Sequence, residues 1–130
     1  MKGLTATLAV SVAQAEHAVR DELQAEGFGV LSEIDVAATL QAKLGITRRA
    51  LKILGACNPS LAHRALELDP TLALVLPCNV ALEELADGET LVSIADPRQL
   101  LDSEAGVAEL HALGEEAAAK LERVIERLGG

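Results

Sequence analysis

Apolar and polar residues alternate at the start of the chain and then change to a helical spacing. The alternating apolar positions are Leu4, Ala6, Leu8 and Val10, which is typical of a strand with one buried face. Ser11 and Gln14 have the spacing of a capping box, so a helix is predicted to begin there. An apolar helix face follows at Ala15, Ala18, Val19 and Leu23, and Gly27 is predicted to end the helix.

A second strand, a short helix and a third strand are predicted between Phe28 and Cys57. In the second strand one face carries Phe28, Val30, Ile34 and Val36, and the other carries Glu33 and Asp35. The short helix spans Ala37 to Leu44 and ends at Gly45. In the third strand Leu51, Ile53, Gly55 and Cys57 point one way and Lys52 points the other.

The hydrophobic period changes at Asn58, where another helix is predicted to begin. Asn is a preferred N-cap, and Pro59 suits the first turn because its missing N–H costs nothing there. The helix is expected to run to about Leu68 and to stop before Asp69. The next strand is predicted over residues 71–85, with Pro77 marking an edge, a bulge or a bend.

Asp87 and Gly88 form a hairpin signal, and the faces of the flanking strands decide the length of the loop. A two-residue loop puts Glu83 opposite Val92. A three-residue loop from Ala86 to Gly88 instead pairs Leu82 with Val92 and Val80 with Ile94, which keeps the apolar side chains together. The three-residue loop, with Gly88 left-handed in a bulge, is therefore the prediction.

Two more helices complete the predicted order. The first spans Pro97 to Leu101, and the second covers about residues 104–128, with Ser103 and Gly106 bracketing its start. The apolar face of the second is Val107, Leu110, Ala117, Leu121, Val124 and Leu128. The order β-α-β-(α)-β-α-β-β-α predicts an α+β fold, in which a mainly antiparallel sheet packs against helices in two layers, within one domain of residues 1–130.

Composition narrows the classes of function. The chain of 130 residues has 11 Lys and Arg against 20 Asp and Glu, a formal net charge of -9, and one aromatic residue, Phe28. Nucleic-acid binding normally requires a concentrated basic face or stacking aromatics, and anionic membranes repel acidic surfaces, so we expect neither partner. Two cysteines do not make a disulfide framework and favour a reduced, cytoplasmic chain.

A family resemblance is carried by the segments "EGFGVLSEIDV", "LKILGACNPSLAHRAL" and "LVLPCNVAL…DGETLVSIADP". With Cys-Asn-Pro at 57–59 and Leu-Pro-Cys at 76–78, the chain resembles the bacterial and archaeal family called domain of unknown function 302, over about residues 4–97. The resemblance implies a sheet-and-helix arrangement similar to that of TATA-binding-protein-like domains, and it implies a homodimer. The family has no assigned reaction, so the resemblance implies neither an activity nor a cofactor.

Cys57 is the first candidate for chemistry because it directly precedes a predicted helix N-cap. The positive end of a helix favours a thiolate. The dipole contributes about 0.3–1 kcal/mol, whereas a tenfold change in ionisation corresponds to about 1.4 kcal/mol. The group therefore stays mostly thiol at neutral pH unless a second cation is near, and neither Lys52 nor His63 is an obvious partner. A packing role for a small apolar residue is favoured.

Cys78 also lies beside a proline and is also followed by an asparagine. If the strands of the two cysteines are neighbours, a disulfide or redox pair becomes possible, and His63 can add a third ligand to a metal site. Separate free thiols are the simpler interpretation. Asn58 is explained as a cap, with direct ligand binding as the alternative, and Glu33 with Asp35 is interpreted as a solvated strand face rather than an acid pair.

Two hypotheses of function follow. The first is a homodimeric ligand-binding or interaction module without catalysis, since no complete catalytic set is present and apolar positions such as Leu72, Leu74 and Leu76 are spare. The second is thiol-dependent redox chemistry or metal binding by Cys57 and Cys78. The sequence leaves open whether any reaction is catalysed, and neither hypothesis assigns a cofactor.

Overall fold

A five-stranded antiparallel sheet and the helices packed on it make up the computed structural model, which describes residues 3–86, 88–101 and 108–130. The strands are β1 (Gly3–Leu8), β2 (Gly29–Asp35), β3 (Leu51–Cys57), β4 (Cys78–Glu84) and β5 (Thr90–Ala95). The helices are α1 (Val12–Ala25), α2 (Val36–Leu44), α3 (Pro59–Leu68), α4 (Pro97–Leu100) and α5 (Ala108–Arg127). A 3₁₀ helix spans Pro70–Leu74.

The strand order is β1-β5-β4-β3-β2, so β1 and β2 form the two edges of the sheet. The β4–β5 hairpin has the predicted register, in which Leu82 lies opposite Val92 and Val80 lies opposite Ile94. Gly88 has a φ of 74°, the left-handed conformation expected of it. Asp87 lies outside the described residues.

One face of the sheet, the inner face, is buried against helices α1, α3 and α5. Its buried side chains are Ala6, Leu54, Ala56, Val80, Leu82, Val92 and Ile94, and they share one core with helix residues such as Val19, Leu23, Leu61, Leu121 and Val124. The predicted α+β class, a mainly antiparallel sheet packed against helices, is confirmed. The TATA-binding-protein-like arrangement stays a prediction.

Side-chain caps begin α1 at the predicted Ser11 and α2 at Asp35, so Val36, predicted on a strand face, instead begins α2. Ser11 accepts the backbone N–H of Gln14 at 3.2 Å, and the Gln14 side chain accepts the backbone N–H of Ser11, which completes the capping box. Asp35 accepts the N–H of Ala38 at 2.9 Å at the start of α2. Asp35 is therefore a cap, and it does not take part in an acid pair.

Two strand predictions are wrong, and each has a local cause. Residues 70–74 form a 3₁₀ helix instead of a strand, because the Asp69 carboxylate accepts both the backbone N–H and the hydroxyl of Thr71 and so favours a turn. Val30 and Ile34 lie on opposite faces of β2 because the register shifts between Val30 and Ser32. An inserted residue reverses the direction of every later side chain.

The C-terminal helix confirms most of its predicted apolar face. Leu110, Ala117, Leu121 and Val124 are buried, and Leu128 is half-buried. The predicted start, including Ser103, Gly106 and Val107, lies outside the described residues. In the part of the chain that is described, no helix combines the length and the apolar character needed to cross a membrane.

Candidate functional site

The junction between β3 and α3 holds two of the candidate residues, Cys57 and Asn58. The Asn58 side chain accepts the backbone N–H of Leu61 at 3.2 Å, so it caps α3 as predicted. Its Nδ2 also donates to the carbonyl oxygen of Glu26 at 3.4 Å, just after α1. Both ends of the Asn58 amide are therefore used inside the fold, and the junction ties α3 to the end of α1.

A small, partly open cavity of about 30 Å³ lies beside this junction. Its lining consists mainly of apolar side chains and includes both cysteines, together with Phe28, Ala56, Leu61, Ala65, Leu76, Pro97, Leu101 and Ala117. Pockets that hold metabolites usually measure about 300–1,000 Å³. The cavity is therefore far smaller than a typical pocket for a metabolite.

The two cysteines come from neighbouring strands, since Ala56 lies opposite Cys78 in the β3–β4 register. Both are free thiols, with Cys57 half-buried and Cys78 buried. Burial raises the pKa of the Cys57 thiol. Burial, together with the nearby charge of Cys57, raises the pKa of the Cys78 thiol to about 11. Desolvation disfavours the thiolate at both sulfurs, so both are protonated at neutral pH.

His63 is exposed on α3 and does not line the cavity of the cysteines. It contributes instead to a groove between α3 and α5 with Arg64, Glu67 and Leu113. Across residues 3–86, 88–101 and 108–130, no three side chains of His, Cys, Asp or Glu converge on a point where a metal ion could bind. The structure thus brings Cys57, Asn58 and Cys78 together and leaves His63 apart.

Glu33 takes part in an ion-pair network, which the alternation of β2 alone does not reveal. Its carboxylate lies 2.6 Å from the Lys52 Nζ and 2.8 Å from the Arg20 Nη2. Glu16 of α1 bonds to the same two cations, at 2.7 and 2.8 Å. The network joins α1, β2 and β3 and accounts for the charge of Glu33 without any substrate.

Comparison with known proteins identifies the family. The sequence model of "Domain of unknown function DUF302" matches residues 4–128, nearly the whole chain and including α5. The chain belongs to this family. Among solved structures it is similar to the crystal structure of an uncharacterized conserved protein DUF302 from Bacillus stearothermophilus, with 25% identity, a TM-score of 0.87 and coverage of 98% of each chain. No curated protein matches.

The second face of the DUF302 sheet, the outer face, is a feature that the sequence reasoning missed. The registers place on it Thr5, Thr7, Ser32, Ile34, Leu51, Ile53, Gly55, Asn79, Ala81, Glu83, Leu91, Ser93 and Ala95. Glu83 is the one charged residue among them, and Arg48 and Arg49 lie within ion-pair distance of it. The signal in the sequence was the lack of charge at alternate positions of four strands.

Apolar surface continues past the outer face at one end. A groove of about 350 Å³ is lined by Leu74, Val75, Pro77, Asn79 and Ala95, and the last two of these belong to the outer face. Leu74 is 87% exposed. At the β2 edge, Ile34 of the outer face is 52% exposed and Leu31, at the register shift, is 68% exposed. Large apolar side chains thus extend the face at two of its margins.

Proposed function

We propose that this DUF302 protein is a cytoplasmic, homodimeric interaction module that self-associates through the outer face of its sheet. The observation that carries the proposal is the outer face itself, which is nearly free of charge in a chain of net charge -9. Two copies repel each other wherever acidic surfaces meet. Contact through the outer face keeps most of that charge away from the interface.

The size of the face supports a dimer. Five strands about 4.8 Å apart, each with six or seven residues at about 3.3 Å, present a flat area of about 500 Å² before side-chain relief is counted. Stable interfaces bury about 800 Å² per partner. Side-chain relief and the apolar margin at Leu74, Val75 and Ile34 supply additional area of the required kind.

A binding role for a small molecule receives less support than self-association. The cavity at Cys57 and Cys78 has about a tenth of the volume of a small metabolite pocket. Thiol chemistry by these two residues also stays a hypothesis, and the raised pKa of both thiols lowers their nucleophilic fraction at neutral pH. The interaction role is therefore the function that we put forward.

Sedimentation velocity tests the dimer. The wild-type chain is expected to sediment as a dimer at micromolar concentration, and Ser93→Glu as a monomer, because Ser93 lies between Thr5 and Ala81 on the outer face. Burying an unpaired carboxylate costs about 3–5 kcal/mol, and a two-fold interface contains it twice. The matched control is His111→Glu on the exposed side of α5, which should remain dimeric.

Folding of the variants is checked by circular dichroism. If Ser93→Glu does not fold, Thr5→Glu places the same charge on the outer face at an exposed position of the edge strand. A monomeric wild-type protein contradicts the proposal. So does a dimer that persists in both folded outer-face variants, since the interface would then lie elsewhere.

A further inference from the structure

The connection between α2 and β3 is a basic and apolar surface in an otherwise acidic protein. Five residues within the segment 43–49 define this surface, the basic loop: Lys43, Leu44, Ile46, Arg48 and Arg49. In the described part of the chain, Glu83 is the one carboxylate within ion-pair distance of these three cations, and both arginines share it. The loop with Glu83 therefore carries a net charge of +2, against -9 for the whole chain.

The apolar residues of the basic loop are displayed to solvent. Leu44 is 65% exposed and Ile46 is 48% exposed. Helix α2 has no buried residue, so its own packing does not explain why its last residue is a leucine. Exposed apolar side chains flanked by charge are typical of recognition surfaces.

Several bonds hold the basic loop in one conformation. Gly45 ends α2 in the left-handed conformation, with its N–H donating to the Gln41 carbonyl oxygen at 3.0 Å. The Thr47 hydroxyl donates to the Gln41 side chain at 2.8 Å, and Arg49 donates to the Leu85 carbonyl oxygen at 3.4 Å. A surface fixed in advance loses little conformational entropy when a partner binds.

We infer that the basic loop is a docking site for an acidic segment of another protein, in which carboxylates alternate with apolar side chains. The carboxylates would pair with Lys43 and Arg49, and the apolar side chains would cover Leu44 and Ile46. Electrostatics favour this occupant, because the acidic surface of the rest of the protein repels an acidic segment and the basic loop attracts it. The site borders the outer face at Glu83, with which Arg48 and Arg49 pair.

Fluorescence anisotropy with a short labelled peptide of alternating Glu and Leu tests the inference. We expect wild-type protein to bind it, and to bind a peptide of alternating Lys and Leu at least about tenfold more weakly. Affinity for the Glu–Leu peptide should fall as NaCl rises from about 0.05 to about 0.3 M. Arg49→Glu and the double variant Leu44→Ser/Ile46→Ser should each weaken binding by about tenfold or more.

Matched controls keep the same chemistry away from the basic loop. Arg64→Glu changes an exposed arginine of α3, and Leu68→Ser changes an exposed leucine of the same helix. Both variants should bind the peptide as the wild type does. Ser93→Glu should also bind it whether or not the dimer forms, which separates this inference from the proposed function.

Three results would overturn the inference. The first is the absence of Glu–Leu peptide binding at about 1 mM, and the second is binding that neither loop variant weakens. The third is evidence for another occupant in the absence of peptide binding. Such evidence would be that the wild type sediments with vesicles containing phosphatidylserine, or that it assembles beyond a dimer and Arg49→Glu abolishes this assembly. Either outcome would assign the basic loop to a membrane or to a second copy of the chain.

Discussion

Replacing Asn58 tests whether the Cys-Asn-Pro segment at residues 57–59 is a structural device. Asn58→Ala removes the acceptor that caps α3 and the donor that bonds to the Glu26 carbonyl oxygen. Loss of an N-cap side chain costs about 1 kcal/mol. A neutral hydrogen bond contributes about 0.5–1.5 kcal/mol, and the donor–acceptor distance of 3.4 Å places this one at the low end. The expected loss in the free energy of unfolding is about 1.5 kcal/mol.

Asn58→Asp separates the two contributions. The carboxylate still accepts the Leu61 N–H, and its charge at a helix N-terminus adds about 0.3–1 kcal/mol. The donor to Glu26 is lost. The loss of about 0.5 kcal/mol and the gain of about 0.3–1 kcal/mol nearly cancel, so we expect Asn58→Asp to unfold within about 0.5 kcal/mol of the wild type and to be more stable than Asn58→Ala. Ser60→Ala, in the same first turn of α3 and exposed, is the matched control and should change little.

Urea unfolding followed by circular dichroism measures these differences, with equal m-values as the condition for comparing midpoints. The melting temperature of Asn58→Ala should fall by about 5 °C. If Asn58→Ala unfolds within about 0.5 kcal/mol of the wild type, the capping interpretation is refuted. The asparagine would then have to be explained by something that the fold itself does not require, such as a bound ligand.

Two further predictions concern ionisation. Because burial raises the pKa of both thiols, the rate of iodoacetamide labelling should keep rising above pH 9. Half-buried Cys57 should be labelled before Cys78. A labelling rate of either thiol that reaches a plateau below about pH 8 contradicts this expectation. Burial raises the pKa of Glu16, but hydrogen bonds and charge from Lys52 and Arg20 outweigh it, so the folded-state pKa lies below 4.5. The stability that this group contributes is present above the unfolded pKa and is lost as pH falls through the lowered folded pKa. In urea unfolding, Glu16→Gln should therefore be less stable than the wild type at pH 7, and its stability should approach that of the wild type below about pH 4. A difference in unfolding free energy between the two proteins that stays constant down to about pH 3 contradicts the assignment.

Local sequence signals predicted the parts of the fold that local chemistry decides. The Ser11–Gln14 box, the Asn58–Pro59 helix start and the Gly88 turn each depend on bonds within a few residues, and all three are present. The hairpin register followed from the need to keep Leu82 and Val92 on one face. In each case the local preference and the buried face agree.

Properties that depend on distant segments were not accessible in the same way. The alternation in β2 gave no sign of the register shift after Val30, which depends on how the strand pairs with β3. The proximity of Cys57 and Cys78 required the order of the strands, which sequence spacing does not supply. The separation of His63 from both cysteines required the rotation of α3, which turns Leu61 and Ala65 into the core and leaves His63 outside.

The distribution of charge connects the fold to the proposed interface. Charged residues make up 24% of the chain, so thirteen positions chosen at random would include about three of them, and exposed positions more. The outer face has one, Glu83, at its margin with the basic loop. Several arginines and lysines elsewhere form pairs that join helices to one another or to the sheet, as Arg123 and Arg127 do with Glu26, and as Lys52 does with Glu16. A lack of charged residues does not stabilise a sheet surface that stays exposed to water. A surface that a second copy covers, by contrast, must avoid unpaired charges. This selective lack of charge is why self-association, rather than chemistry at the buried thiols, accounts best for the construction of the molecule.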